Sequence, residues 1–180
     1  MSDTTQQHTP KQVHQIAPPE IELKAVKALQ QASDETLCFE ASVYLDGKKV
    51  GTVGNRGQGG PNFYHMDRTD EARLADLCSR WISHRWGQKA IEPADTVIAL
   101  LVDDFEDRKV ARRLNRKGCR VVALFESGWS SWDEQSQMGS PLDGWFEERW
   151  IVGFSDEHLA REHAEAEKAD QYRVLINTDA

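Results

Sequence analysis

Between Leu37 and Leu45 the chain alternates: Leu37, Phe39, Ala41, Val43 and Leu45 are apolar, while Cys38, Glu40, Ser42 and Tyr44 take the positions between them. A period of two sends successive side chains to opposite faces, so the pattern predicts a half-buried strand. Asp46-Gly47 follows, a favoured pair for a two-residue type I′ turn. A regular hairpin across that turn sets Val50 and Thr52 opposite Val43 and Ala41 on the apolar face. Beyond Gly54 the alternation stops, and a loop is expected through Met66.

Other stretches follow the helical period. Pro18-Pro19 ahead of Glu20 reads as a helix start, with Ile21, Ala25, Ala28, Leu29 and Ala32 as an inward stripe to about Ser33. Asp67, Thr69, Asp70 and Glu71 provide a cap and an acidic first turn for a second helix. Its buried side is predicted to be Leu74, Leu77, Cys78, Trp81 and Ile82, and Gly87 ends it.

The run Val97 to Val102 is apolar throughout and predicts a strand buried on both faces. A helix from Asp104 to Lys117, the stop Gly118 and a second apolar run, Val121 to Phe125, would complete a βαβ unit with parallel strands. Glu126 to Glu148 reads as long and irregular. Trp150 to Phe154 then predicts a strand, Asp156 to Asp170 a polar helix, and Arg173 to Asn177 a last strand. The expected fold is α/β or α+β: one domain over residues 19–180, with a mixed sheet, a βαβ unit, flanking helices and an edge β-hairpin.

Composition narrows the picture. Residues 1–18 hold too little apolar surface to offset the entropy of ordering them, so a disordered tail is expected there. No stretch approaches the roughly 18 apolar residues of a membrane span and the start lacks a signal-peptide core, which points to a cytoplasmic protein and no membrane partner. Cys38, Cys78 and Cys119 are far apart and form no C-x-x-C pair, so packed, reduced thiols are expected. A net charge of -8 argues against sequence-independent nucleic-acid binding, whose affinity comes from neutralising phosphates. The cations Arg108, Lys109, Arg112, Arg113, Arg116 and Lys117 follow the acids Asp103, Asp104, Glu106 and Asp107, an order that suits a helix dipole.

The candidate chemistry is concentrated in one loop. Six of the 12 glycines lie between Gly47 and Gly60. The loop is neither a Walker A sequence nor a G-x-G-x-x-G fingerprint. Two uses remain: a bulged hairpin that needs glycine for tight packing, or an anion-binding nest of the Asn55 to Gly60 amides with Arg56 or His65 beside it. Asn55, Arg56, Gly57, Gly59, Gly60, Asn62, Tyr64 and His65 are the candidate binding residues here. Trp129, Trp132 and Trp145 form a second candidate surface, because a rigid ring buries much area at little entropic cost.

If Asp103, Asp104 and Glu126 end parallel strands, they share one sheet edge and are candidate Mg²⁺ ligands. In outline this resembles the acidic edge of receiver and Toprim domains, without their partner motifs. His158 with Glu162 and His163 with Glu167 share helix faces, which suits a charged, solvated side, and no H-E-x-x-H is present. Ser127, Ser130 and Ser131 lack a nucleophile elbow.

The segment Phe39-Glu40-Ala41-x-x-Tyr44-x-Asp46-Gly47-Lys48-Lys49-x-Gly51-x-Val53-x-Asn55-x-Gly57-x-Gly59-Gly60 resembles a motif of small proteins of bacterial viruses and mobile elements. The motif covers about a quarter of the chain and carries no established activity. What it implies is context, since accessory proteins of that kind more often bind and redirect a host component than run metabolism. The leading expectation is therefore a non-enzymatic protein, without cofactor, that binds a host or phage protein through the glycine hairpin and the tryptophan segment. The alternative is a Mg²⁺-dependent enzyme acting on nucleotides or phosphates.

Overall fold

The computed structural model describes residues 11–13, 15–87, 91–131, 144–167 and 169–178. In chain order its elements are β1 (Lys11–Gln12), β2 (Ile21–Ala28), a 3-10 turn (Gln30–Ala32), β3 (Phe39–Leu45), β4 (Lys48–Asn55), β5 (Phe63–Met66), α1 (Arg68–Trp86), α2 (Pro93–Asn115), β6 (Val121–Ser131), β7 (Gly144–Phe154), α3 (Glu157–Ala166) and β8 (Gln171–Asn177). The class is α+β, with two four-stranded sheets that are antiparallel except where β1 lies parallel to β8. Two compact units divide the chain, Gln15–Phe105 and Met1–His14 with Glu106–Ala180; the division falls within α2.

The Gln15–Phe105 unit is built on the meander β2-β3-β4-β5. Asp46 (φ 48°) and Gly47 (φ 76°) both lie in the left-handed region, as a type I′ turn requires. From that turn Leu45 pairs with Lys48 and Tyr44 with Lys49, and then the register slips, so that Val43 faces Gly51 and Ala41 faces Val53. This corrects the regular register, which set Val50 and Thr52 opposite Val43 and Ala41. A bulge at Val50 adds one residue, and a one-residue slip exchanges the faces of the strand. Val53 is fully buried in consequence, and Phe39, Ala41, Val43 and Leu45 are buried as the alternation required.

Two sequence expectations fail in this unit. The helix expected over residues 20–33 is strand β2 followed by the short 3-10 turn. A bulge between Lys24 and Lys27, with Ala25 at φ 51°, breaks the period of two; Ile21 and Val26 are buried, whereas Ala25, Leu29 and Ala32 of the expected stripe are exposed. The run Val97 to Val102, expected as a strand, lies inside helix α2, and the expected βαβ unit is therefore not formed there. Pro93 opens that helix with Asp95 in its first turn, and Val97, Ile98 and Val102 are its buried positions. Helix α1 matches its expected stripe, with Leu74, Leu77, Cys78 and Ile82 buried and Gly87 closing it at φ 71° through a bond from its amide to the Ser83 carbonyl.

In the other unit the sheet order is β1-β8-β6-β7. Val121, Ala123 and Phe125 face the α3 residues Ala160 and Ala164, while Val122 and Leu124 face Ala111 of α2. Both faces of β6 are covered, which explains its uninterrupted apolar run. Strands β7 and β8 both run antiparallel to β6, which lies between them, so the β7-α3-β8 connection spans a strand. The irregular stretch expected after Glu126 instead continues β6 to Ser131 and resumes as β7 at Gly144; residues 132–143 lie outside the described residues. Of the expected tail, residues 1–10 and 14 also lie outside them, whereas Lys11–Gln12 pairs with Gln171–Tyr172 and Val13 is buried, its amide donating to the Tyr172 carbonyl.

Candidate binding site

Strand β4 ends at Asn55, whose side chain is 7% exposed and organises the whole glycine loop. Its Oδ1 accepts the Gly57 amide at 2.8 Å and the Thr36 hydroxyl at 2.7 Å, and its Nδ2 donates to the Gly60 carbonyl at 2.9 Å and to Asn62 Oδ1 at 3.1 Å. All the capacity of a buried carboxamide is thus directed into one turn. A second centre lies at the Gly57 carbonyl, which accepts the amides of Asp34, Glu35 and Thr36 at 2.8, 3.1 and 3.4 Å. The Gly59 amide donates to Thr36 Oγ1 at 3.2 Å.

Glycine is required at two of these positions. Gly57 has φ 82°, and an added Cβ would meet Cys38 Cβ at 3.0 Å and approach the Ala32 carbonyl more closely still. Gly59 has φ 74° and lies against the Glu35 carboxylate. Gly60 has no atom within 4 Å of an added Cβ, so its Cβ position opens to solvent. Of the amides proposed for an anion nest, those of Gly57 and Gly59 already serve Asn55 and Thr36.

Strand β5 ties the loop to helix α2. The Asn62 amide donates to Asp95 Oδ2 at 3.0 Å, and the Tyr64 hydroxyl donates to Asp95 Oδ1. Burial and the adjacent Asp95 carboxylate hold the Tyr64 hydroxyl far above the usual tyrosine range. Opposite Gly54 in the ladder stands Phe63, whose ring comes within 2.5 Å of where a Gly54 Cβ would sit. His65, two residues on, is exposed, and its ring lies 5.5 Å from that of Phe63.

Two concavities adjoin the loop. An open groove of about 310 Å³ is lined by Asn55, Arg56, Gln58, Gly60, Pro61 and Phe63. A cleft of about 220 Å³ is bounded by Thr36, Leu37 and Phe39, by Asn55 and Asn62, and by Asp95, Ala99, Val102 and Asp103 of α2. Thr36, Gln58, Pro61, Phe63 and Asp95 were not singled out in the sequence. For Asp95 the one available signal was its place two residues after Pro93, as a first-turn acid of a helix.

The remaining candidates separate. Asp103 and Asp104 lie within α2 and not at the end of a strand, which removes the geometric basis for a shared acidic sheet edge. Glu126 is on β6, where it accepts Arg149 Nε at 2.8 Å and Gln171 Nε2 at 2.6 Å. Among the described residues, no group of three His, Cys, Asp or Glu side chains is arranged to hold a metal ion. Trp129 and Trp145 fall in β6 and β7, paired with Phe146 and Ser130, and Trp132 lies outside the described residues.

On α3, His158 pairs with Glu162 at 3.3 Å in the solvated manner expected. His163 does not follow that pattern. Its ring packs 4.9 Å from Phe125, and its Nε2 accepts the Trp150 indole N–H at 3.3 Å.

Comparison with known proteins finds no matching family model, no matching curated protein and no matching solved structure. Among the described residues, no helix is long and apolar enough to cross a membrane.

Proposed function

We propose that this chain is a binding protein whose glycine loop engages a protein partner along the groove of Arg56, Gln58, Pro61 and Phe63. The observation that carries the reading is the division of labour within the loop. Its buried polar groups are turned inward on Asn55, Thr36 and Gly57, while Arg56, Gln58 and Pro61 are exposed. A loop held in one shape before binding loses little conformational entropy when a partner docks, which favours recognition. Phe63 and Pro61 supply an apolar wall and Arg56 a guanidinium beside it, a combination suited to an apolar side chain flanked by a carboxylate. The resemblance of the surrounding segment to phage and mobile-element proteins makes a host or phage protein the partner of choice.

The test is affinity capture with the wild-type chain and with an Arg56→Glu/Gln58→Ala variant, whose altered side chains are both exposed. A stoichiometric partner lost in the folded variant supports the reading. A partner retained equally by both sinks it.

A second reading, an enzyme acting on nucleotides or phosphates with Mg²⁺, draws on the cleft that brings Asn55 and Asn62 together with Asp95 and Asp103. Thermal-shift titration with Mg²⁺ and ATP checks it. A saturable rise in midpoint, abolished in Asp103→Asn, favours catalysis over recognition.

A further inference from the structure

Among the described residues the two sheets end in four edge strands, β1 and β7 in one and β2 and β5 in the other. An edge presents unpaired N–H and C=O groups on which another strand can pair, and proteins usually blunt it with shortness, lysine, proline, a bulge or a covering group. Three of these edges are blunted. Strand β2 is broken by the bulge between Lys24 and Lys27, and both lysines are exposed. Strand β5 is 4 residues long, and the Asn62 amide just ahead of it goes to Asp95. Strand β1 covers only the start of β8; past it β8 is itself bulged at Leu175, whose carbonyl accepts Arg108 Nη1 at 2.8 Å.

Strand β7 differs. It runs for 11 residues, Gly144–Phe154, and its pairing with β6 keeps one register from Val121 with Phe154 to Ser131 with Gly144. Its sequence holds neither lysine nor proline. Two bonds fix which way its backbone faces. The Phe154 carbonyl accepts the Arg120 amide at 3.0 Å, on the β6 side, while the Glu126 carbonyl of β6 accepts the Asp170 amide at 2.9 Å, on the β8 side. Backbone polar groups alternate in direction along a strand, so Trp150, Val152 and Phe154 direct theirs at β6 and Ile151 and Gly153 direct theirs away from it. No described strand pairs with that outer side. Trp150, Ile151, Val152 and Phe154 are only partly buried, whereas Val121 to Phe125 of β6 are buried throughout.

We infer that β7 is a dimerisation edge, on which a second copy of this chain adds its own β7 antiparallel and joins two four-stranded sheets into one, independently of the glycine-loop groove. What covers an open strand edge is another strand with unpaired backbone groups, and among the described residues the long, regular strand of that kind is β7 itself. A twofold axis makes such a contact self-complementary and closed. With the axis at Ile151, Ile151 faces its own copy, Trp150 faces Val152 of the partner subunit, Arg149 faces Gly153 of the partner subunit and Glu148 faces Phe154 of the partner subunit. No like charges are then opposed, which removes the usual penalty on self-pairing. Arg149 meets Glu126 at 2.8 Å and Asp107 at 3.1 Å within its own chain, so its charge is no obstacle to the contact.

Sedimentation velocity of the full chain at concentrations up to about 100 μM tests it, with Ile151→Pro and Ile151→Ala compared. Both variants lose the packing of the Ile151 side chain against Val122, Leu124 and Ala111. Only proline also removes the outward N–H and sets a ring in the path of an added strand, and proline is tolerated on an edge where the N–H faces out. A concentration-dependent dimer is expected for the wild type and for Ile151→Ala, with dimerisation at least about tenfold weaker in Ile151→Pro. Hydrogen exchange of the wild type gives a reading that does not depend on a variant folding: protection over residues 148–154 should rise as the dimer forms. Association past the dimer, equal dimerisation constants for the two folded variants, or exchange over 148–154 that ignores concentration overturns the inference. So does a wild type that stays monomeric throughout, which would assign the edge to an extended segment of another protein.

Discussion

Asn55 Oδ1 accepts the Gly57 amide at 2.8 Å, and this contact turns the end of a strand into a closed loop. The same side chain holds Thr36, Gly60 and Asn62, so it determines the shape of the groove and of the cleft beside it.

Replacing Asn55 by alanine leaves the Gly57 amide and the Thr36 hydroxyl without their buried acceptor. Unmaking a buried polar network of this kind should cost about 1–3 kcal/mol. Urea denaturation checks it, and a change under about 0.5 kcal/mol, the range of an ordinary surface substitution, would remove Asn55 from its central role.

Two glycines of the loop should respond differently to alanine. Gly57→Ala meets both a positive φ and the wall formed by Ala32 and Cys38, and should destabilise by roughly 1–3 kcal/mol. Gly60→Ala enters open space and should fall within about 0.5 kcal/mol of wild type. Thermal unfolding of the two variants side by side measures the contrast, and equal effects would refute it.

Tyr64 gives the chain a sensitivity to alkali. Its folded-state pKa is raised, first by burial and then by Asp95, so the neutral hydroxyl is favoured by folding. The stability it contributes is fully present below the unfolded tyrosine value of about 10 and is lost as pH rises from there toward the folded value. Urea midpoints measured from neutral pH to above about pH 10 should decline in the wild type and decline less in Tyr64→Phe. Parallel curves would show that another group governs the alkaline limb.

Cys78 should be inert in the native protein. It is fully buried, and burial pushes its thiol up to about 12, leaving very little thiolate at neutral pH. Cys38 and Cys119 are partly exposed. Labelling with a thiol reagent followed by peptide mass spectrometry should find Cys78 modified only after denaturation. Modification at a rate matching either of the other two would contradict the burial.

Where the sequence misled, the cause was local pattern imitating another period. Ile21, Ala25, Ala28, Leu29 and Ala32 recur at helical spacing, but a bulge at Lys24–Lys27 interrupts β2, which buries Ile21 and Val26 and leaves Ala25, Leu29 and Ala32 exposed. Val97 to Val102 is short and wholly apolar, a pattern that periodicity alone cannot assign, and the competing signals of Pro93 and Asp95 carried the right answer. A similar extra residue at Val50 reversed the faces of β4. Asn55 was legible as a candidate but not as a hub, since Thr36 is 19 residues away and only pairing of the strands brings the two within 2.7 Å.

By itself the sequence determined what depends on neighbouring residues: the β3 alternation, the Asp46-Gly47 turn, the stripe of α1 with its Gly87 stop, the apolar run of β6, the elements α3 and β8, and the charge segregation along α2. Only the tertiary structure decided the registers, the bulges, the helical state of Val97 to Val102, and the meeting of Asn55, Thr36, Tyr64 and Asp95. Local preferences arise from a residue and its immediate neighbours and are therefore written in the chain. Register and buried hydrogen bonding arise from competition among distant segments for the same core and the same polar partners, and that competition is settled only in three dimensions.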